Sequence, residues 1–426
     1  MSDAALDAFV NAFGPEFGHG KPLGLEQLRS ALESLGAPQR LLPPVIHVAG
    51  TNGKGSTIAF MRAIAEAAGL RAHAFTKPHL HALRERYTIA SEIASTEVLI
   101  AAASSVAAAA PALTQFEAQI AAAFLLFAEM PADLVLLETG MGGRDDSTNV
   151  IEHPALCVIT PIDLDHTDAL GGSIGEIAHH KAGIIKPGVP AIAARQTAEA
   201  QDALVKRAAK LSAPLSLYGE HWDAFLRHGR LVVQTPERVL DLPPPTLFGP
   251  HQIDNAGLAC AAMLKWRALP DAAFARGVAQ VRWPGRLQAL TRGPLSAPIR
   301  ALGGELWVDG GHNAQAAQAL ALALRQMQAR RAAPTIAIIG LRARKDSRAF
   351  LHALAPALAH LIAVPLDEDH IDPLTLSGVA TDAGVASENA ASLAEALEKA
   401  ARCPAPRILI CGSLLLAAEA LAAEGA

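Results

Sequence analysis

Val45-Ile46-His47-Val48-Ala49-Gly50-Thr51-Asn52-Gly53-Lys54-Gly55-Ser56-Thr57 is the stretch from which the fold of this chain can be read. An apolar, β-branched run breaks into a glycine-rich turn that carries Lys54 and the hydroxyl pair Ser56 and Thr57, and helix-forming residues follow from Ile58 to Ala65. The pattern predicts strand, phosphate loop, helix. Such a loop aims successive backbone N–H groups and the positive end of a helix at a polyphosphate, with the lysine as point charge and a hydroxyl reaching a metal. The spacing departs from the commonest form, because Val48 stands where a first glycine is usual and Gly55 separates Lys54 from Ser56.

Composition bounds what the loop belongs to. At 426 residues the chain is too long for one ordinary core, which points to two or three domains. Hydrophobic residues make up 51% and charged residues 18%, ample for buried cores. A net charge of −5 argues against a nucleic-acid-binding surface, which needs a basic excess. Cys157, Cys260, Cys403 and Cys411 lie far apart without C-x-x-C spacing and read as thiols of a reducing cytoplasm. Met1 to Asn11 carries Asp3 and Asp7 and no basic flank, so no secretory signal is expected. The apolar run Val98 to Leu113 falls short of the ~20 residues of a membrane span and is interrupted by Ser104, Ser105 and Pro111.

In chain order, Leu25, Leu28, Leu32 and Leu35 mark one face of a helical lead-in that Pro43-Pro44 stops. A second strand, Arg71 to Thr76, ends at Lys77-Pro78-His79, a strand-end loop beside the phosphate site. Two Ala-rich helices fill residues 95 to 130. The continuous apolar strand Leu134 to Glu138 then ends in an acid followed by Gly140, Gly142 and Gly143, at the edge where open α/β sheets bind ligands. Glu138 therefore reads as a magnesium ligand opposite the loop. A further strand, Leu156 to Thr160, ends near Asp163, Asp165, His166 and Asp168, and Ala191 to Ala194 is the fifth. Five strands with helices between them predict a doubly wound, mainly parallel sheet. A hairpin is expected around Arg230 to Leu240, and a helix from Phe248-Gly249-Pro250 to about Trp266. Gly293 to Gly304 reads as the linker, dividing an amino-terminal phosphate-loop domain (1–292) from a smaller Rossmann-like α/β domain (293–426) with strands at 305–309, 335–339, 361–364 and 408–411. That second domain lacks G-x-G-x-x-G, so a dinucleotide cofactor is not supported.

The order of these motifs resembles a family. Leu23-Gly24-Leu25, Val48 to Thr57, Pro78-His79-Leu80, Phe116-Glu117, Glu138 to Val150, Asp165-His166-Thr167, Lys181-Ala182-Gly183-Ile184, Gly249 to Asn255, Pro284-Gly285-Arg286 and Asp309 to Asn313 together look like folylpolyglutamate synthase/dihydrofolate synthase, a branch of the Mur-type ATP-dependent amide ligases. The resemblance implies that ATP phosphorylates a carboxylate, that of dihydropteroate or the terminal glutamate of a reduced folate, and that L-glutamate displaces phosphate to form an amide. It implies that Gly50, Thr51, Asn52, Gly53, Lys54, Gly55, Ser56 and Thr57 hold the triphosphate, with His251, Gln252 and Asn255 on adenine and ribose. Arg286, Asp309 and His312 would serve nucleotide and acyl phosphate. Magnesium, in two sites, would be held by Ser56, Glu138, His166 and Lys181, the last as a carbamate. Lys54, Lys181, His166, Asp309 and His312 are the expected catalytic residues, and Thr76, Lys77, His79, Phe116 and Glu117 the expected substrate residues. A monomer with small-molecule substrates and neither nucleic acid nor membrane as partner is implied. Two positions depart from the family: Lys77 stands where a metal-binding serine is usual, and His180 where a glutamate precedes the lysine. A Mur-type ligase on another acid, and a nucleotide-binding relative with altered catalysis, remain the alternatives.

Overall fold

The computed structural model describes residues 3–14 and 24–425, so Met1 of the amino-terminal stretch and Leu23 of the first motif lie outside the described residues. The chain divides into two compact units, Met1–Thr246 with Ile253–Val281, and Leu247–Gln252 with Arg282–Ala426.

The main sheet of the first unit contains β1 (Val45–Ala49), β2 (Ala72–Phe75), β3 (Tyr87–Ile89), β4 (Glu92–Ile93), β5 (Leu134–Glu138), β6 (Leu156–Ile159), β7 (Ala191–Ala193) and β8 (Leu215–Leu217). Their order is β4-β3-β2-β5-β1-β6-β7-β8. From β2 through β5, β1, β6 and β7 to β8 every pairing is parallel, whereas β2–β3 and β3–β4 pair antiparallel. Strands β1, β5 and β6 are buried along their whole length, as parallel strands covered on both faces must be. The chain leaves β1 toward β2 and later returns through β5 to β6 on the other side of β1. The carboxyl ends of β5, β1 and β6 therefore frame the crevice where such sheets bind ligands.

Two apolar layers clothe this sheet. One contains Leu28, Leu32, Leu99, Val106, Phe124 and Phe127, with Leu25 and Leu35 partly buried against it, so the leucine face of the lead-in packs as its spacing predicts. The other joins β6 and β7 to the helices Ile174–Ala182 and Ala198–Lys210. The paired alanine-rich helices are Thr96–Ala109 and Gln115–Glu129. Among the described residues no helix is long and apolar enough to cross a membrane.

Several local expectations change. β3, β4 and β8 join the five expected strands. The expected hairpin is a three-stranded antiparallel sheet of β9 (Asp223–Arg227), β10 (Arg230–Gln234) and β11 (Val239–Leu242). The second unit holds β12 (Gln288–Leu290), β13 (Glu305–Val308), β14 (Thr335–Ile339), β15 (His360–Ala363), β16 (Ser387–Asn389) and β17 (Arg407–Cys411), in the order β12-β13-β17-β14-β15-β16. Because β12 pairs antiparallel with β13, the residues from Arg282 onward group with this unit and the limit expected at Arg292 falls inside it. Nor is Gly293 to Gly304 a linker. It contains the helix Ser296–Ala301, and the Glu424 carboxylate accepts the backbone N–H groups of Gly293, Leu295 and Ser296 at 2.7, 3.0 and 3.0 Å. A buried carboxylate gathering amides in this way anchors both ends of the unit to each other.

The helix Lys54–Ala67 packs on the helix Asp271–Gln280, and a Cβ at Gly277 would come within 2.6 Å of the Ile64 Cα. Gly277→Leu should therefore force these helices apart and cost about 2 kcal/mol, the usual scale of overpacking. Urea denaturation would report this as a lower midpoint at unchanged slope; an unchanged midpoint would mean that the interface yields freely.

Candidate active site

The phosphate loop begins where β1 ends. Gly50 has φ 152° and Gly53 φ 85°. A side chain on Gly50 would collide with Thr160, and one on Gly53 with the Asn255 amide, so both positions need glycine. The loop is sewn to the segment after β6. Thr51 donates its backbone N–H to Pro161 O at 2.9 Å and its hydroxyl to Asp163 O at 2.9 Å, and accepts the Asp163 N–H at 3.0 Å. Asn255, from the helix Pro250–Trp266, is buried against Gly53.

Two lysine side chains converge on this loop. Lys54 Nζ donates to Gly50 O at 3.1 Å and Thr51 O at 3.2 Å, and lies 3.9 Å from Glu138 Oε1. Lys181 Nζ donates to the same Gly50 O at 2.8 Å. Lys181 is 4% exposed. Burial, and then the nearby Lys54 charge, push its amine down to about 7, opposed by Asp165 and Asp146. Lys181 is thus a buried amine that gives up its proton more readily than a solvated lysine.

Glu138 closes the end of β5 at 3% exposure. Its Oε2 accepts the backbone N–H of Lys77 at 3.1 Å. The Lys77 ammonium lies over the Phe116 ring, 4.6 Å from its centroid. Thr76 is buried, and Arg86 donates to His79 Nδ1 at 3.0 Å and to Gln119 at 2.6 Å, tying this loop to the helix that carries Phe116. Glu117, expected among the substrate residues, is engaged in a capping box: its Oε2 accepts from Thr114 N and Oγ1 at 2.9 and 2.8 Å. His180 lies beside Asp145, Nδ1 to Oδ2 3.7 Å, so an acid is supplied there from the neighbouring loop.

His166 has φ 53° and an exposed side chain, and it begins the short helix Thr167–Leu170. Ser56 and Thr57 are buried in the first turn of the loop helix, and Thr57 Oγ1 has no hydrogen-bond partner among the described residues. The donors at this loop suit magnesium: one buried carboxylate and adjacent hydroxyls. Among the described residues no three His, Cys, Asp or Glu side chains form a metal cage.

The second unit has a cluster of its own. Asp309, 5% exposed, accepts from Leu287 N at 2.7 Å and Gly311 N at 2.6 Å. His312 Nδ1 donates to Gly310 O at 3.0 Å, which fixes its tautomer, and the Arg286 guanidinium bonds Gly285 O. Burial lowers the pKa of His251, Arg286 adding to this and Asp309 opposing it. The buried His251 Nδ1 has no hydrogen-bond partner among the described residues, and Gln252 beside it is buried. Sequence reasoning assigned no role to Asp146, Arg86 or His47. The signal available for His47 was a polar residue inside an apolar strand.

Comparison with known proteins agrees with this geometry. The Mur ligase middle domain matches residues 48–263, and the Mur ligase glutamate ligase domain matches residues 299–414. The chain is 35% identical to the dihydrofolate synthase/folylpolyglutamate synthase of Bacillus subtilis, covering 71% of this chain and 72% of the relative. It is 32% identical to the folylpolyglutamate synthase of Lacticaseibacillus casei over 80% of each. The bifunctional Yersinia pestis enzyme complexed with AMPPNP and Mn ion superposes with TM-score 0.87 at 28% identity, covering 100% of this chain and 98% of that one. E. coli FolC in complex with DHPP and ADP gives TM-score 0.87 at 28% identity, covering 98% and 96%.

The Lys54 ammonium is the loop's point charge. Lys54→Met should weaken AMPPNP binding by roughly ten- to a hundredfold, the worth of a charged hydrogen bond. Calorimetric titration reads this directly, and unchanged affinity would remove Lys54 from the phosphate site. A glycine loop on which two lysines converge, an acid at the neighbouring strand end and sequence identity along most of the chain lead to one assignment: the chain belongs to the folylpolyglutamate synthase/dihydrofolate synthase family of Mur ligases and is an ATP-dependent ligase.

Proposed function

We propose that the protein joins L-glutamate to the carboxylate of dihydropteroate, of a reduced folate, or of both, through an acyl phosphate. An oxygen of the acceptor carboxylate attacks the γ-phosphorus of ATP, and the bond to ADP breaks. The glutamate amine then attacks the acyl carbon, phosphate leaves, and the amine loses a proton. Positioning and charge neutralisation are what this transfer needs. The observation that carries the reading is the convergence of Lys54, Lys181 and Glu138 on one glycine loop.

In this reading the N–H groups of Gly50 to Thr57 and the Lys54 ammonium take the phosphate charge. Ser56, Glu138, His166 and a carbamylated Lys181 would hold magnesium in two sites, and magnesium when bound would supply positive charge against the phosphoryl oxygens. His251, Gln252 and Asn255 meet the base and ribose, and Arg286, Asp309 and His312 serve the phosphates and the acyl group. Thr76, Lys77, His79, Phe116 and Glu117 serve the acceptor acid. The Lys181 carbamate is supported by a buried amine that gives up its proton more readily than a solvated lysine, since only the neutral form adds CO2. The protein acts as a monomer in the cytoplasm, a compartment that suits its unpaired cysteines.

ADP release with magnesium, ATP and glutamate should rise on adding dihydropteroate or tetrahydrofolate. If neither acceptor raised it above background, the folate assignment would fail. The carbamate makes a separate expectation. The folded-state amine lies below its ordinary 10.5, at about 7, so protonation removes the carbamate as pH falls through about 7. A labelled-bicarbonate NMR signal should be present above that pH, fade below it, and be missing in Lys181→Arg. A signal that persists in Lys181→Arg would place the carbamate elsewhere.

A further inference from the structure

His47 lies in β1, three residues before the phosphate loop, and is completely buried. Its Nε2 is 2.8 Å from Thr148 Oγ1. Thr148 Oγ1 is in turn 2.5 Å from Asp146 Oδ1, which also accepts the Thr148 N–H at 3.0 Å, while Asp146 Oδ2 accepts the Met141 N–H at 2.7 Å. The direction of these bonds follows from the groups. A carboxylate accepting three hydrogen bonds takes the Thr148 hydroxyl proton, so the threonine oxygen can only accept from a protonated His47 Nε2. The other nitrogen, Nδ1, is then a bare acceptor, and it has no hydrogen-bond partner among the described residues. Burial, then the Lys186 charge, keep the ring neutral, with its pKa pushed down to about 3.

At the far end of this chain stands the turn that follows Glu138. A Cβ on Gly140 would lie 3.1 Å from Asp146 Oδ2 and 2.5 Å from the Phe116 ring, so the carboxylate clamps the turn against that ring. Burial raises the pKa of Asp146, opposed by its bonds from Thr148 and Met141 and by the charge of Lys77, which lies over the Phe116 ring. One strand therefore launches the phosphate loop and, through His47, holds the turn bordering Phe116 and Lys77.

We propose that His47 is a positioning residue: acting through Thr148 and Asp146, it fixes the Gly140–Gly142 turn against Phe116 and so sets the acceptor side of the site in register with the phosphate loop. The part concerning the acceptor rests on the function proposed above; the part concerning the turn does not. A glutamine at 47 retains an amide donor near the Nε2 position, whereas leucine removes it.

The test uses His47→Leu, His47→Gln and, from the other end of the link, Thr148→Val in the full chain. Hydrogen exchange of the Met141 and Thr148 amides should accelerate by about tenfold in His47→Leu and Thr148→Val and stay near wild type in His47→Gln. With dihydropteroate as acceptor, the first two variants should raise its KM by about tenfold while the KM for ATP changes less than twofold, and His47→Gln should restore it. Unchanged exchange in folded His47→Leu and Thr148→Val would overturn the positioning role, as would equal rises in both KM values. If the wild type showed no turnover with the acceptor, the folate reading would fail while the exchange data still decided the role of His47.

Discussion

The carbonyl oxygen of Gly50 accepts hydrogen bonds from two lysine side chains, Lys54 at 3.1 Å and Lys181 at 2.8 Å, and the rest of the site is arranged around that convergence. A buried amine beside a second amine holds its proton less readily. Lys54 lies 3.9 Å from Glu138 at the partly exposed side of the loop. Lys181, deeper, has its pKa pushed down to about 7, by burial first and then by the Lys54 charge. Two residues of one type thus meet one carbonyl from different environments.

The surrounding fold maintains that asymmetry. Gly50 can approach Thr160 only because it has no side chain, which brings the loop carbonyl close to the end of β6. The Thr51–Asp163 pair of hydrogen bonds then locks the loop to the neighbouring strand end. On the other side Glu138 Oε2 accepts a backbone amide, that of Lys77, while its Oε1 faces Lys54. A residue identity can therefore change at 77 without losing that bond, which accounts geometrically for a lysine being tolerated there.

Much of this was legible in the sequence because it rests on local chemistry. The glycine pattern around Lys54, the acid at the end of Leu134–Glu138 and the leucine spacing of the lead-in each carry their own signal. What was not legible depends on distant partners. Strands β4, β8 and β12 are two or three residues long and have no continuous apolar run, so pairing alone makes them strands. Gly293 to Gly304 has the composition of a linker, yet Glu424, more than a hundred residues away, gathers its amides. Lys77 was visible as an extra cation, but its resting place over Phe116 depends on how the helix Gln115–Glu129 packs. Glu117 lies in a motif and also closes the capping box of its helix, a partner the motif alone does not disclose.

The central claim is that this loop activates an acid by phosphorylating it, rather than merely hydrolysing ATP near a bound acid. Acceptor carrying heavy oxygen in its carboxylate, turned over with ATP and glutamate, separates the two by mass analysis of the released phosphate. The account requires one labelled oxygen to pass from the carboxylate to phosphate for every amide formed. Amide formation with unlabelled phosphate would contradict it.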